Sequence, residues 1–267
     1  MVTYKPKTFI FLVIISTWIP WVILAILNVS LDSVWQKLLI GVGGAMPAVV
    51  ALSLIKKYHS EKFRKDYWSR VFTLKFSKEK ASWLILLPFF YVLISVSISL
   101  LFFNGSIYQL IPTIHITGLI PFIIFVFFFG PFPEELGWRG YLLDALAKKN
   151  NLLISSILIG AIWGIWHIPL FFISGYPLQE MATSNLFLFT YFASLIPKAI
   201  IISYIYYKSG RIILTAILFH FMINFMGMVV EIEMTTELIQ FFVITLISIL
   251  IILKNNSLFF NKTKNNE

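Results

Sequence analysis

Eight long apolar runs constrain this chain more than any other feature. They occupy 9–27, 38–55, 83–103, 118 to about 147, 152–173, 186–207, 212–230 and 238–253. A helix needs about 20 apolar residues to cross a bilayer, with a range of roughly 17–25. Hydrophobic residues make up 59% of the 267 and charged residues 12%, against about 25% charged in an average soluble domain. A soluble core of this size could not absorb so much apolar surface. The expected fold is all-α, a polytopic membrane helix bundle of about eight transmembrane helices. The first run follows a basic start, but it is too long for a signal peptide and no small-residue cleavage site follows it. It reads as a first span. No internal repeat is present.

The net charge is +9. In a soluble chain that would suggest nucleic acid. Here the basic residues sit in the loops between apolar runs, so membrane orientation and anionic lipid are the readings, and no nucleic acid is expected. Of the 21 Lys and Arg residues, 18 fall in segments on one side and only Lys37 on the other, with Arg139 and Lys198 inside spans. By the positive-inside rule, eight spans then leave both termini cytoplasmic in a multi-pass protein of the cell membrane. The basic segment 56–80 is interleaved with Tyr58, Phe63, Tyr67, Trp68 and Phe72. It reads first as a solvated cytoplasmic loop that fixes topology, and second as an interfacial helix on anionic lipid. Cysteine is absent, which excludes disulfides, thiolate metal sites, a cysteine nucleophile and lipidation of this chain. The polar tail 255–267 is expected to fray.

The fourth run is irregular. Its uncharged part, 118–129, has 12 residues and is too short to cross alone. It must continue through "PFPEELGWRGYLLDALA". Pro131 and Pro133 are expected to break the helix, with Glu134 opening its second half. Broken helices persist at membrane depth only where protein or a cavity covers the freed backbone. The chain divides accordingly into N-terminal spans 1–117 with a basic loop 56–82, a candidate catalytic core 118–230, and a last span with the polar tail, 231–267.

Ionisable residues inside a membrane cost several kcal/mol unless paired or hydrated, so they mark candidate sites. Here they are Glu134, Glu135, Arg139, His167 and His220, with Asn224 beside them. Asp144 lies nearer the cytoplasmic end, and Lys198 stands alone after Pro197. Glu135 and Arg139 are spaced i, i+4 with the acid first, the favourable order, and read as a structural pair. Glu134 is left without such a partner. A lone histidine on an apolar helix, as in "AIWGIWHIPLFF", is ordinarily a hydrogen-bonded core residue. His220 and Asn224 are four apart and share one face. Helix rise from the cytoplasmic ends puts Glu134 about 22 Å deep, His167 about 24 Å, Asn224 about 20 Å and His220 about 14 Å. Four polar groups on three helices can therefore meet. A carboxylate and an imidazole can deprotonate a water, while a second histidine and an amide donate to an oxyanion. Alternatively Glu134, His167 and His220 could hold zinc with an open position. No HExxH motif occurs, nor any serine nucleophile motif.

With these motifs in place the chain resembles the CAAX protease and bacteriocin-processing (Abi) family of intramembrane proteases, relatives of the type II CAAX prenyl endopeptidase. The family's EExxxR appears as EELGWR, with Glu134, Glu135 and Arg139. Its FxxxH appears as WGIWH, with Trp163 in place of phenylalanine and His167 kept. Its HxxxN/D appears as HFMIN, with His220 and Asn224. The match spans roughly 120–230. The resemblance implies peptide-bond hydrolysis in the membrane, with Glu134 and His167 activating water, His220 and Asn224 stabilising the oxyanion, and Glu135 and Arg139 in support. Trp163 leaves the pocket wall open to question. Zinc is the one cofactor admitted. Against it stand the shallower His220 and the expected engagement of Glu135 by Arg139, which leaves no second carboxylate to orient a histidine. The substrate class is a membrane-associated peptide or protein. The Ile-, Lys- and Asn-rich composition suggests a low-GC bacterium, hence peptide pheromones, bacteriocins or anchored proteins rather than prenylated ones. Rival readings are a non-catalytic immunity or scaffold protein, and a small proton-coupled transporter using Glu134.

Overall fold

In lipid an apolar run must satisfy its own backbone, which a helix does within one segment. The computed structural model follows that rule and describes residues 3–28, 33–76, 78–112 and 114–261. Its elements are α1 (Pro6–Leu27), α2 (Val34–Tyr58), α3 (Glu61–Phe72), α4 (Lys78–Phe102), α5 (Leu119–Phe129), α6 (Pro131–Gly137), a π segment (Trp138–Leu143), α7 (Asp144–Ala147), α8 (Leu152–His167), α9 (Pro177–Met181), α10 (Asn185–Lys208), α11 (Ile213–Val229), α12 (Met234–Lys254) and α13 (Asn256–Phe260). No strand occurs among the described residues. The all-α membrane bundle expected from the apolar runs is the fold observed.

Among the described residues, seven helical stretches are long and apolar enough to cross a membrane, including the composite Leu119–Ala147. The remaining expected span is the shorter apolar helix α11. α2 lies against α6, α4 against α11 and α12, and α8 against α10, so the segment 118–230 is enclosed by earlier and later spans. Buried tryptophans tie α1, α2 and α8 together. The Trp166 indole donates to Thr17 Oγ1 at 2.8 Å, and the Trp21 indole to the Ile40 carbonyl at 3.2 Å. Outward faces carry exposed Phe11, Ile26, Phe125 and Leu253, as lipid contact requires.

Three expectations need correction. The fourth span breaks at Gly130 (φ −137°, ψ −95°), and its second half opens at Pro131, not at Glu134. Prolines in a first turn cost little, because those positions have no intrahelical N–H bond to lose. Glu134 therefore sits inside the first turn, and its N–H reaches the Gly130 carbonyl at 3.1 Å. Beyond it the helix loosens into a six-residue π segment, which no periodicity signalled. Close approach of α6 to α2 depends on Gly137, where a Cβ would stand 2.6 Å from the Pro47 Cβ.

The solvated-loop reading of the basic segment is also overturned. Ser60 caps α3 by accepting from the Phe63 N–H. Tyr67, Arg70 and Val71 bury one face against the core, while Trp68 and Phe72 stack on the exposed side. The polar tail is likewise ordered in part: α13 buries Phe259 completely. Residues 262–267, where the rest of the expected frayed tail falls, lie outside the described residues.

Candidate active site

The polar residues of the fourth, fifth and seventh runs come together. Glu135 and Arg139, one turn apart, are both fully buried, with Arg139 Nη1 2.7 Å from Glu135 Oε1. The same oxygen lies 2.8 Å from His220 Nδ1 on α11. Engagement by Arg139 was expected to make Glu135 unavailable to a histidine. A carboxylate oxygen has two lone pairs, so it serves both. The arrangement orients the His220 ring and stabilises any positive charge on it, as a buried carboxylate does for a catalytic imidazole.

Glu134 is held from α8. Its Oε2 accepts from Trp163 Nε1–H at 2.7 Å. Its Oε1 and the Asn224 amide nitrogen lie 3.8 and 3.5 Å from the point a Cβ on Gly130 would occupy. The bare glycine at the helix break thus leaves room beside both groups. His167 Nδ1 lies 2.8 Å from the Trp163 carbonyl. A carbonyl only accepts, so Nδ1 carries the proton and Nε2 presents its lone pair. Glu134 and His220 are buried, whereas His167 and Asn224 are half-buried.

Trp163 is more than a wall. It is buried, meets the His220 ring edge-on at 4.9 Å between centroids, and lies 5.6 Å from the Arg139 guanidinium carbon. It touches every member of the cluster named so far except Asn224 and Glu135. Phenylalanine at this position could not donate to Glu134.

The shallow placement expected for His220 does not hold. Arg211 at the foot of α11 is drawn onto Asp144. Asp144 lies five residues before Lys149, about 7 Å of helix rise. His220 Nδ1 lies 2.8 Å from Glu135 Oε1, so the two side chains stand level.

No group of three His, Cys, Asp or Glu among the described residues is disposed to hold a metal ion. Both histidines bond through Nδ1, which leaves each Nε2 free, and Glu134 keeps one oxygen free of the Trp163 indole.

Two further polar groups flank the site. Asp144 gathers Arg70, Arg211 and the Tyr206 hydroxyl just beyond the π segment. Lys198 does not stand alone, since it lies within electrostatic range of Glu237 on α12. Glu237 fell one residue before the last apolar run and so drew no attention in the sequence. A groove on α1, lined by Ile14, Ile15, Trp18, Ile19, Val22 and Ile23, includes none of these polar residues.

A family model described as type II CAAX prenyl endopeptidase Rce1-like matches residues 116–226, the stretch that carries all three motifs. The protein "CAAX prenyl protease 2" of Methanococcus maripaludis is 32% identical over 265 residues, covering 97% of this chain and 97% of that protein. The likeness thus extends beyond the motifs to the N-terminal spans and the last helix. Similarity of this extent, centred on the residues that the fold draws together, means that the chain belongs to the Rce1-like type II CAAX prenyl endopeptidase family.

Proposed function

We propose that this intramembrane protease hydrolyses a peptide bond of a membrane-associated substrate with a water activated by Glu134 and His167. The observation that carries the reading is the double use of Trp163. Its indole N–H holds Glu134 Oε2, and its carbonyl fixes the His167 tautomer. One residue thus leaves a carboxylate oxygen and an imidazole lone pair free to receive a water. Glu134 takes the water proton as the hydroxide adds to the scissile carbonyl. The resulting oxyanion is met by the Asn224 amide and by His220, whose ring Glu135 orients. Glu134 then returns the proton to the departing amine. Arg139 offsets the Glu135 charge throughout. No step calls on a metal.

The relative's name directs the substrate reading towards a prenylated carboxy-terminal CAAX segment. A site enclosed by membrane helices suits a peptide that a lipid anchor brings to it. The exposed Lys62, Lys65, Trp68 and Phe72 of α3 suit a cytoplasmic surface of anionic lipid, in a cell membrane with both termini cytoplasmic. The experiment uses purified protein with a fluorogenic farnesylated CAAX peptide and the same peptide unprenylated. Cleavage of the farnesylated peptide, lost in Glu134→Gln and His220→Ala, is expected. Equal kcat/KM for both would favour a peptide precursor without a prenyl group. Cleavage of neither would overturn the hydrolytic reading.

A further inference from the structure

The π segment Trp138–Leu143 is an uncommon backbone form, and such segments recur at functional sites. Here it carries Arg139 and directly follows the turn that carries Glu134 and Glu135. α3 grips it from the cytoplasmic side at both ends. At the near end the Tyr67 hydroxyl donates to the Leu136 carbonyl at 2.7 Å. At the far end Arg70 Nη1 reaches Asp144 Oδ2 at 3.2 Å. Tyr67 and Arg70 are three residues apart and so project from one face of α3. Between the two grips the Tyr67 ring covers Gly140 so closely that a Cβ there would lie 2.9 Å from ring carbon and hydroxyl alike. Tyr67 is fully buried, and burial raises its pKa, which keeps the hydroxyl a donor. Arg70 is further held by Asp66 at 2.9 Å and by the Tyr206 hydroxyl at 2.6 Å.

The grip leads inward to the chemistry by direct contacts. Leu136 follows Glu135, whose Oε1 holds both Arg139 and His220. Arg139 lies one residue before Gly140. A shift of the segment by a fraction of an ångström would move Glu134 and Glu135 together relative to His220 and Asn224. Sub-ångström placement is what catalytic groups depend on.

We propose that α3 is a clamp on the π segment and that Tyr67 is a positioning residue for Glu134 and Glu135. This rests on the reading that Glu134 and His220 perform the hydrolysis. It assigns a role in the rate to a helix outside the spans, in a part of the chain that carries no motif.

The test compares Tyr67→Phe, Gly140→Ala and the double variant, each purified and assayed well below its melting temperature on the fluorogenic farnesylated peptide. Tyr67→Phe keeps the ring and deletes only the donor. Its kcat is expected to fall about tenfold, the scale of one net hydrogen bond, with KM within about twofold, since substrate binding is not touched. Gly140→Ala pushes the ring away and is expected to fall similarly. The double variant should lose far less than the product of the two losses, because both act on one contact. An unchanged kcat in Tyr67→Phe, with Glu134→Gln inactive, overturns the clamp and leaves the hydrolytic reading standing. Residual wild-type activity in Glu134→Gln overturns that reading instead. A loss in Tyr67→Phe that only tracks the yield of folded protein assigns Tyr67 to stability alone and also overturns the clamp.

Discussion

Trp163→Phe removes the one hydrogen bond that Glu134 Oε2 accepts from α8. The substitution removes the Nε1–H that Glu134 Oε2 accepts at 2.7 Å. A hydrogen bond to a charged acceptor contributes about 1.5–3 kcal/mol. If all of it serves to hold Glu134 for proton transfer, kcat falls by about 10- to 150-fold, since each 1.36 kcal/mol is tenfold. KM should change little, because the indole bonds to the general base. Phenylalanine is also smaller, and Trp163 packs on the His220 ring at 4.9 Å, so a void would form and confuse the reading. Benzothienylalanine at position 163 removes that difficulty: it keeps the bicyclic shape and has no N–H. Steady-state kinetics on the farnesylated peptide, with thermal melting in parallel, should show the kcat loss for both residues and a marked stability loss for phenylalanine only. Full activity with benzothienylalanine would refute the reasoning, since shape alone would then explain Trp163.

Arg139→Ala should destabilise the protein by up to about 3–5 kcal/mol, because it leaves a fully buried Glu135 with His220 as its one remaining side-chain partner, whereas Glu134→Gln should melt near the wild type and be inactive; the reverse pattern would exchange the two roles. Reporter fusions after Ser106 and Lys149 should report opposite sides, with Lys149 inside; fusions after Ser30 and Ser77, which lie outside the described residues, should report outside and inside, and agreement between Ser106 and Lys149 would break the topology. His59 is packed among the Tyr4, Phe63 and Tyr141 rings, and its pKa is lowered because burial disfavours the charged form. The unfolded chain then binds more protons than the native one, so stability is intact above about pH 6.5 and falls as pH drops below it towards the native pKa. Chemical denaturation at pH 7.5 and 5.5 should show that fall in the wild type and a smaller one in His59→Leu.

The spans were legible because lipid imposes length and apolarity directly, and each of the eight runs is recovered within a few residues. The site was legible because ionisable groups have few reasons to sit in a bilayer: Glu134, Glu135, Arg139, His167 and His220 stood out on cost alone. What connected them was less so. A tryptophan in an apolar helix carries no sign that its N–H will meet a carboxylate, so Trp163 read as a substitution in the wall. The π segment left no trace, since its residues fit an ordinary helix equally well. Tyr67 and Arg70 lay in a loop whose many charges concealed one docked face. The depth of His220 went astray because helix rise was counted from the loop ends, which takes no account of how α11 and the fourth span sit against each other. Contacts between elements distant in sequence, not propensities within them, decide each of these.

The account turns on Glu134 activating water without a metal. The direct measurement is the single-turnover cleavage rate of purified protein on the farnesylated peptide, taken with metal content by elemental analysis before and after chelation. Full rate in protein with no stoichiometric metal, and no rate in Glu134→Gln, is the predicted result. Stoichiometric zinc that is lost with activity on chelation, restores it on return, and is absent from His220→Ala would contradict the account.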